Sequence, residues 1–196
     1  MWTKPCGSRG GQFAVLEDCF RRSKAGMDEG ELVLTDVGEY LVGACLQLLE
    51  HCDVVDYNVR PPGGGLDGLN EMDVVGLNFT TQTAYLCEVT THIRGLLYGS
   101  GNQQTVERIA AKHKRQKAYA SGYLRNFTNT RYQFWSPVVP VGYITTHLAQ
   151  IDGLELVING EYKERIDRLR ELAKTQTHDA RNPVFRVLQI LEHLRT

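Results

Sequence analysis

Two stretches decide how this chain is read: Asn70-Glu71-Met72-Asp73-Val74-Val75-Gly76 and, shortly after it, Tyr85-Leu86-Cys87-Glu88-Val89-Thr90-Thr91. They lie within two expected strands, over 70–79 and 83–91. The link between these is short, which makes them antiparallel neighbours. Side chains alternate faces along a strand. Glu71, Asp73 and Val75 therefore share one face, with Met72 and Val74 on the other. Ala84, Leu86, Glu88 and Thr90 share a face opposite Tyr85, Cys87 and Val89. A pairing that sets Asp73 near Glu88 brings two carboxylates to one spot on the sheet. Close carboxylates repel, and each is costly to bury alone. A divalent cation resolves both problems, and hard oxygen ligands suit magnesium or manganese. Such an ion can lower the pKa of a bound water and stabilise charge on a phosphate oxygen. Acidic residues alternating with apolar ones also mark an ordinary solvated sheet face, so the surroundings of the pair carry weight.

Working outward, Asp36 begins the first helix. Val37, Leu41, Ala44 and Leu48 follow helical spacing, and Asp36 with Glu39 has the spacing of a capping box. A strand follows over 53–60, and then Pro61, Pro62 and Gly63 to Gly65 break the chain. A glycine-bearing loop at 95–101 leads into a helix over about 104–119. A strand rich in Val and Ile is expected within 132–146, centred on 138–144, and another over 154–158. Two helices finish the chain, over 162–175 and from Pro183 to Leu194, with Asn182 as cap and Pro183 at the first helical position. Their apolar spacing (Ile166, Leu169, Leu172; Val187, Leu188, Leu191, Leu194) is that of a packed or dimerising face. The order is helix, three strands, helix, two strands, two helices, an α/β mixed sheet flanked by helices. Residues 1–30 read as an N-terminal arm, with a short helix over 12–22 and a linker at 26–30, and 31–196 as the folded domain.

At 196 residues the chain is long enough for a hydrophobic core without a disulfide or metal staple. Its five cysteines are odd in number and form no CxxC pair. Together with the spacing of its histidines, this argues against a disulfide scaffold or a structural zinc site and fits a reducing, cytoplasmic compartment. No run approaches the length of a membrane span, and no signal peptide is read. The net charge of −1 is unevenly spread. Arg108, Lys112, His113, Lys114, Arg115 and Lys117, then Arg125 and Arg131, are opposed only by Glu107. Such a stripe is either a solvated helix face or a surface for nucleic-acid phosphates. Tyr119, Tyr123, Phe127 and Tyr132 are interleaved nearby, some in the core and others free to stack on bases.

The run E-x-D-V-V, a short turn, then Y-L-C-E-V-T resembles the core of the PD-(D/E)xK nuclease superfamily, over roughly residues 36–120. In many members a helix with a glutamate precedes a strand, a hairpin with the aspartate and a strand with (D/E)-x-K. Here Glu39, Asp73 and Glu88-Val89-Thr90 match in that order, and Asn70-Glu71-x-Asp73-Val74 looks like the N-E-x-D-V variant. Met72 replaces the proline of the family name. Thr90 stands at the lysine position, where the family's cation orients water or stabilises developing charge. Some relatives carry that cation on the following helix. Lys112 and Lys114 are then the candidates, with Lys114 taken as the substitute, and His92 shares the face of Thr90 if the strand continues.

The resemblance implies a restriction-endonuclease-like fold for 31–196, with Mg2+ or Mn2+ held by Asp73, Glu88 and the Val89 carbonyl. It makes Glu39 an auxiliary ligand or water-orienting carboxylate. The function implied is a metal-dependent endonuclease, with DNA ahead of RNA as substrate. Arg108, Lys112, Lys114, Arg115 and Lys117 would bind the phosphates. A homodimer or a larger defence or repair assembly is compatible with this reading, as is an effector or toxin nuclease. Thr90 motivates the alternative, a weak or inactive nuclease-fold module that binds nucleic acid or a protein partner.

Overall fold

The computed structural model describes residues 35–61, 71–178 and 180–195. The arm expected at 1–30, the helix at 12–22, the linker at 26–30 and most of the Pro/Gly turn lie outside the described residues. The chain divides into two compact units. In the smaller, Arg60 donates to Glu71 from Nε (3.3 Å) and Nη2 (3.1 Å). The larger, 34–59 with 72–196, carries every element described below.

Helix α1 (Val37–Leu48) starts where the sequence places it. The Asp36 carboxylate accepts from Gly38 N at 2.7 Å, and Glu39 Oε2 accepts from Asp36 N at 3.2 Å. This reciprocal cap satisfies donors that a helix start leaves unpaired. Strands β1 (Val54–Val59), β2 (Met72–Asn78) and β3 (Thr83–Val89) form an antiparallel meander. Helix α2 (Asn102–Tyr123) then carries the chain over to β4 (Asn129–Ser136), and a short helix α3 (Tyr143–Leu148) precedes β5 (Leu154–Ile158). Both β3–β4 and β4–β5 pair in parallel, so one mixed sheet of five strands runs in chain order. Helices α4 (Asn159–Thr175) and α5 (Pro183–His193) complete the chain.

Strand alternation builds two cores. On one face Val74, Tyr85, Cys87, Trp135 and Val157 pack with Cys45 and Leu46 of α1, Leu169 of α4 and Phe185 of α5. Close approach there needs a residue without a side chain, since a Cβ on Gly43 would lie 2.1 Å from the Tyr57 hydroxyl. On the opposite face Phe134 of β4 joins Ile109 of α2, Ile144 and Leu148 of α3, and the loop residues Leu96 and Val139.

One expectation needs correcting, and another is met in part. The strand centred on 138–144 is a loop followed by α3, while the strand itself is Asn129–Ser136. Pro137 and Pro140 interrupt pairing, and Gly142 turns the chain at φ 121°. Asn159 takes the part of a neighbouring strand, accepting from Val139 N (2.7 Å) and donating to Val139 O (2.9 Å). In α5, Leu188 packs on the core as read, but Val187, Leu191 and Leu194 are at least half exposed. Phe185, Gln189 and Glu192 hold its buried side instead. Among the described residues no helix is long and apolar enough to cross a membrane.

Candidate active site

The β2–β3 register pairs Val74 with Cys87 and Val75 with Leu86, which sets Asp73 opposite Glu88 one step further along. Both carboxylates then project toward the α2 side of the sheet, as alternation requires. Val89 joins through its amide, which donates to Asp73 Oδ2 at 2.7 Å. Glu88 is only 3% exposed. Burial, reinforced by the neighbouring Asp73 charge, pushes its carboxyl up to about 7 against the opposing pull of Lys112.

The positive charge comes from α2. Its buried positions Thr105, Ile109, His113, Gln116 and Ala120 recur every three or four residues. Lys112 lies at the edge of that stripe, so its stem packs inward while the ammonium reaches the sheet. Lys112 Nζ hydrogen-bonds Glu88 Oε2 and lies 3.7 Å from Asp73 Oδ2. Burial alone would pull its pKa down, but the two carboxylates outweigh burial and raise it. Lys112 therefore stays a cation between two acids that come from different strands.

The other expected residues fall out as follows. Lys114 is exposed, two residues and so about 200° around the helix from Lys112. Thr90 is buried just past β3, with its amide donating to Trp135 O at 3.0 Å. Glu39 serves as the capping-box partner of Asp36. His92 is in the loop after β3, because the strand ends at Val89, and packs edge-on to Tyr98. Phe127 is buried against Phe79, and Tyr132 packs on His113. Gln116 is fully buried, its amide donating to Leu86 O (2.9 Å) and Gln133 O (3.2 Å), which anchors α2 to the sheet.

The basic residues of α2 split into two rows. Arg108, Lys112 and Arg115 follow a four-then-three spacing along the edge beside the acidic pair. Lys117 lies beyond the other edge, donating to Asp152 O at 2.9 Å. Sequence reading passed over Tyr98, whose ring lies 4.7 Å beneath the Arg108 guanidinium. Its amide donates to Thr105 Oγ1 at 2.9 Å, so the first turn of α2 fixes the loop. A lone tyrosine in a glycine-bearing loop gives no periodic signal by which to find it.

Among the described residues no group of three or more His, Cys, Asp or Glu side chains could hold a metal ion. The donor set at the pair is two hard carboxylates of adjacent strands, one of them raised by burial and, after that, by the charge of the other. That chemistry fits a small hard cation that keeps most of its coordination as water. Comparison with protein-family models, with curated proteins and with solved structures gives no significant match to the chain.

Proposed function

We propose that the protein is a metal-dependent nuclease, with DNA ahead of RNA as its substrate and a restriction-endonuclease-like arrangement of its sheet. The observation that carries this reading is the meeting of Asp73, Glu88 and Lys112 from three separate elements at one end of the sheet. Asp73, Glu88 and the Val89 carbonyl would hold Mg2+ or Mn2+. When bound, the ion supplies an activated water and charge stabilisation at a phosphate oxygen.

The chain's own residues do the rest. Asp73 is oriented by the Val89 amide, which donates to its Oδ2. Lys112 carries the positive charge that Thr90 lacks. It is placed to balance negative charge building on a phosphate held at the pair. Arg108 and Arg115, along the same helix edge, supply sequence-independent phosphate contacts. The free, buried thiols of Cys45, Cys52 and Cys87 suit a reducing, cytoplasmic setting.

Nicking of supercoiled plasmid with Mg2+ or Mn2+ tests the reading. Wild-type protein should nick, EDTA should stop it, and Asp73→Ala or Glu88→Ala should abolish it with the melting temperature kept near wild type. Cutting by both variants would place the active site elsewhere. Tight binding without cutting under any metal would leave the chain a nucleic-acid-binding module.

A further inference from the structure

The loops that continue β3 and β4 leave the sheet at the end that carries Glu88, since Glu88 is level with Phe134 in the register. They run together, with Leu96 N donating to Val138 O at 3.0 Å. Beneath them Leu96, Val139, Ile144 and Leu148 are buried in one cluster, so the loops have a packed base. Their tips are the opposite. Ile93 is 81% exposed and Val141 89%, with Leu97 more than half exposed. Beside them the ring of Tyr143 stacks on His147, centroids 3.9 Å apart and 25° between planes, with Tyr143 45% exposed. Next to this rim, Tyr98 follows Leu97, packs edge-on to His92 beside Ile93, and lies under the Arg108 guanidinium.

Charge says what such a rim meets. Lys112, Lys117 and Arg131 pair with Glu88, Asp152 and Glu155, but Arg94 lies in the same loop as Ile93 and Arg108 over Tyr98, and between Val89 and Ile151 the only acidic residue is Glu107, itself accepting from Gln103 Nε2. The partner is therefore anionic and also offers apolar faces. Nucleic acid has both, but a continuous duplex hides its base faces inside the stack. Exposed aliphatic tips and a π-stack gain most where bases are splayed or single-stranded.

We propose that Ile93, Val141 and the Tyr143–His147 stack form a base-contacting rim, and that the substrate is nucleic acid with unpaired bases beside the scissile phosphate. This rests on the nuclease reading above and narrows its substrate class. Fluorescein-labelled DNA of one sequence, as single strand, as a fork with two unpaired arms and as blunt duplex, tests it by anisotropy in EDTA. Wild type should bind fork and single strand about tenfold tighter than duplex. Ile93→Ser/Val141→Ser and Tyr143→Ala should each lose about five- to tenfold on the fork, with duplex affinity and melting temperature unchanged. Equal wild-type affinity for fork and duplex, or unaltered fork binding by both variants, overturns the rim. If Glu88-dependent plasmid nicking persists in that case, the nuclease reading survives alone. No binding to any of the three DNAs, with no nicking, overturns both.

Discussion

In the proposed mechanism the chemistry turns on Lys112, because among the described residues it is the cation that contacts both carboxylates. Lys112→Met should lower cleavage by about 10²–10³-fold, the scale of losing one preorganised charge-stabilising group, while duplex binding falls only slightly. Single-turnover cleavage beside a binding isotherm separates the two. Glu88 yields a prediction about stability. Its carboxyl is raised from an ordinary 4.5 to about 7 in the folded protein, so the folded state takes up this proton before the unfolded state does. Its contribution is then most favourable below about pH 4.5, falls as pH rises to about 7 and is flat above. In metal-free buffer Glu88→Gln should flatten that part of the stability–pH curve, measured by urea denaturation across the range. Added Mg2+ should raise the melting temperature of wild type at pH 8 and not that of Glu88→Gln. The two carboxylates were legible in the sequence because strand alternation is a rigid rule and the hairpin link is short. The choice of Lys112 over Lys114 was not. It depends on the phase of α2, and three of the buried positions that set that phase are the polar residues Thr105, His113 and Gln116. A stripe marked by polar side chains has no hydrophobic signature.

At the scale of elements, the capped helices and alternating strands were readable, and the β4 region was not. Val138, Val139, Val141 and Ile144 look like a strand by composition. The prolines and the Asn159 side chain, a residue distant in sequence, decide otherwise. The real strand, Asn129–Ser136, carries Arg131 and Gln133 on the side where Glu155 pairs with both, at 2.7 and 2.9 Å. These polar side chains disguise a strand that is interior to the sheet. Helix α5 starts where the sequence places it. Asn182 caps it by accepting from Phe185 N at 3.0 Å, and it also donates to Tyr40 O of α1 at 2.8 Å. Asn182→Ala should cost about 1–2 kcal/mol in chemical denaturation, through lost cap and lost tie together. Gly43→Ala should cost a comparable ~1–3 kcal/mol, because the new methyl overlaps the Tyr57 hydroxyl in a packed interface. Neither change should alter metal-dependent nicking at a temperature where the variant stays folded.

Across the whole molecule a near-neutral sum conceals a division. The segment from Val89 to Ile151 is strongly basic, so the rest of a chain of net charge −1 must be acidic. Binding of single-stranded DNA should therefore weaken steeply with salt. If Arg94, Arg108 and Arg115 each neutralise one phosphate, the log–log slope should be about −2, and Arg94→Gln should reduce it by about 0.7. The same segment holds the basic helix, the rim loops and the lysine that meets the acidic pair. The most direct test of that assembly is plasmid nicking in Mg2+ by wild type, Lys112→Met and Lys114→Met side by side. The account predicts metal-dependent nicking by wild type and Lys114→Met and its near loss in Lys112→Met. Unimpaired nicking by Lys112→Met, or loss confined to Lys114→Met, would contradict it.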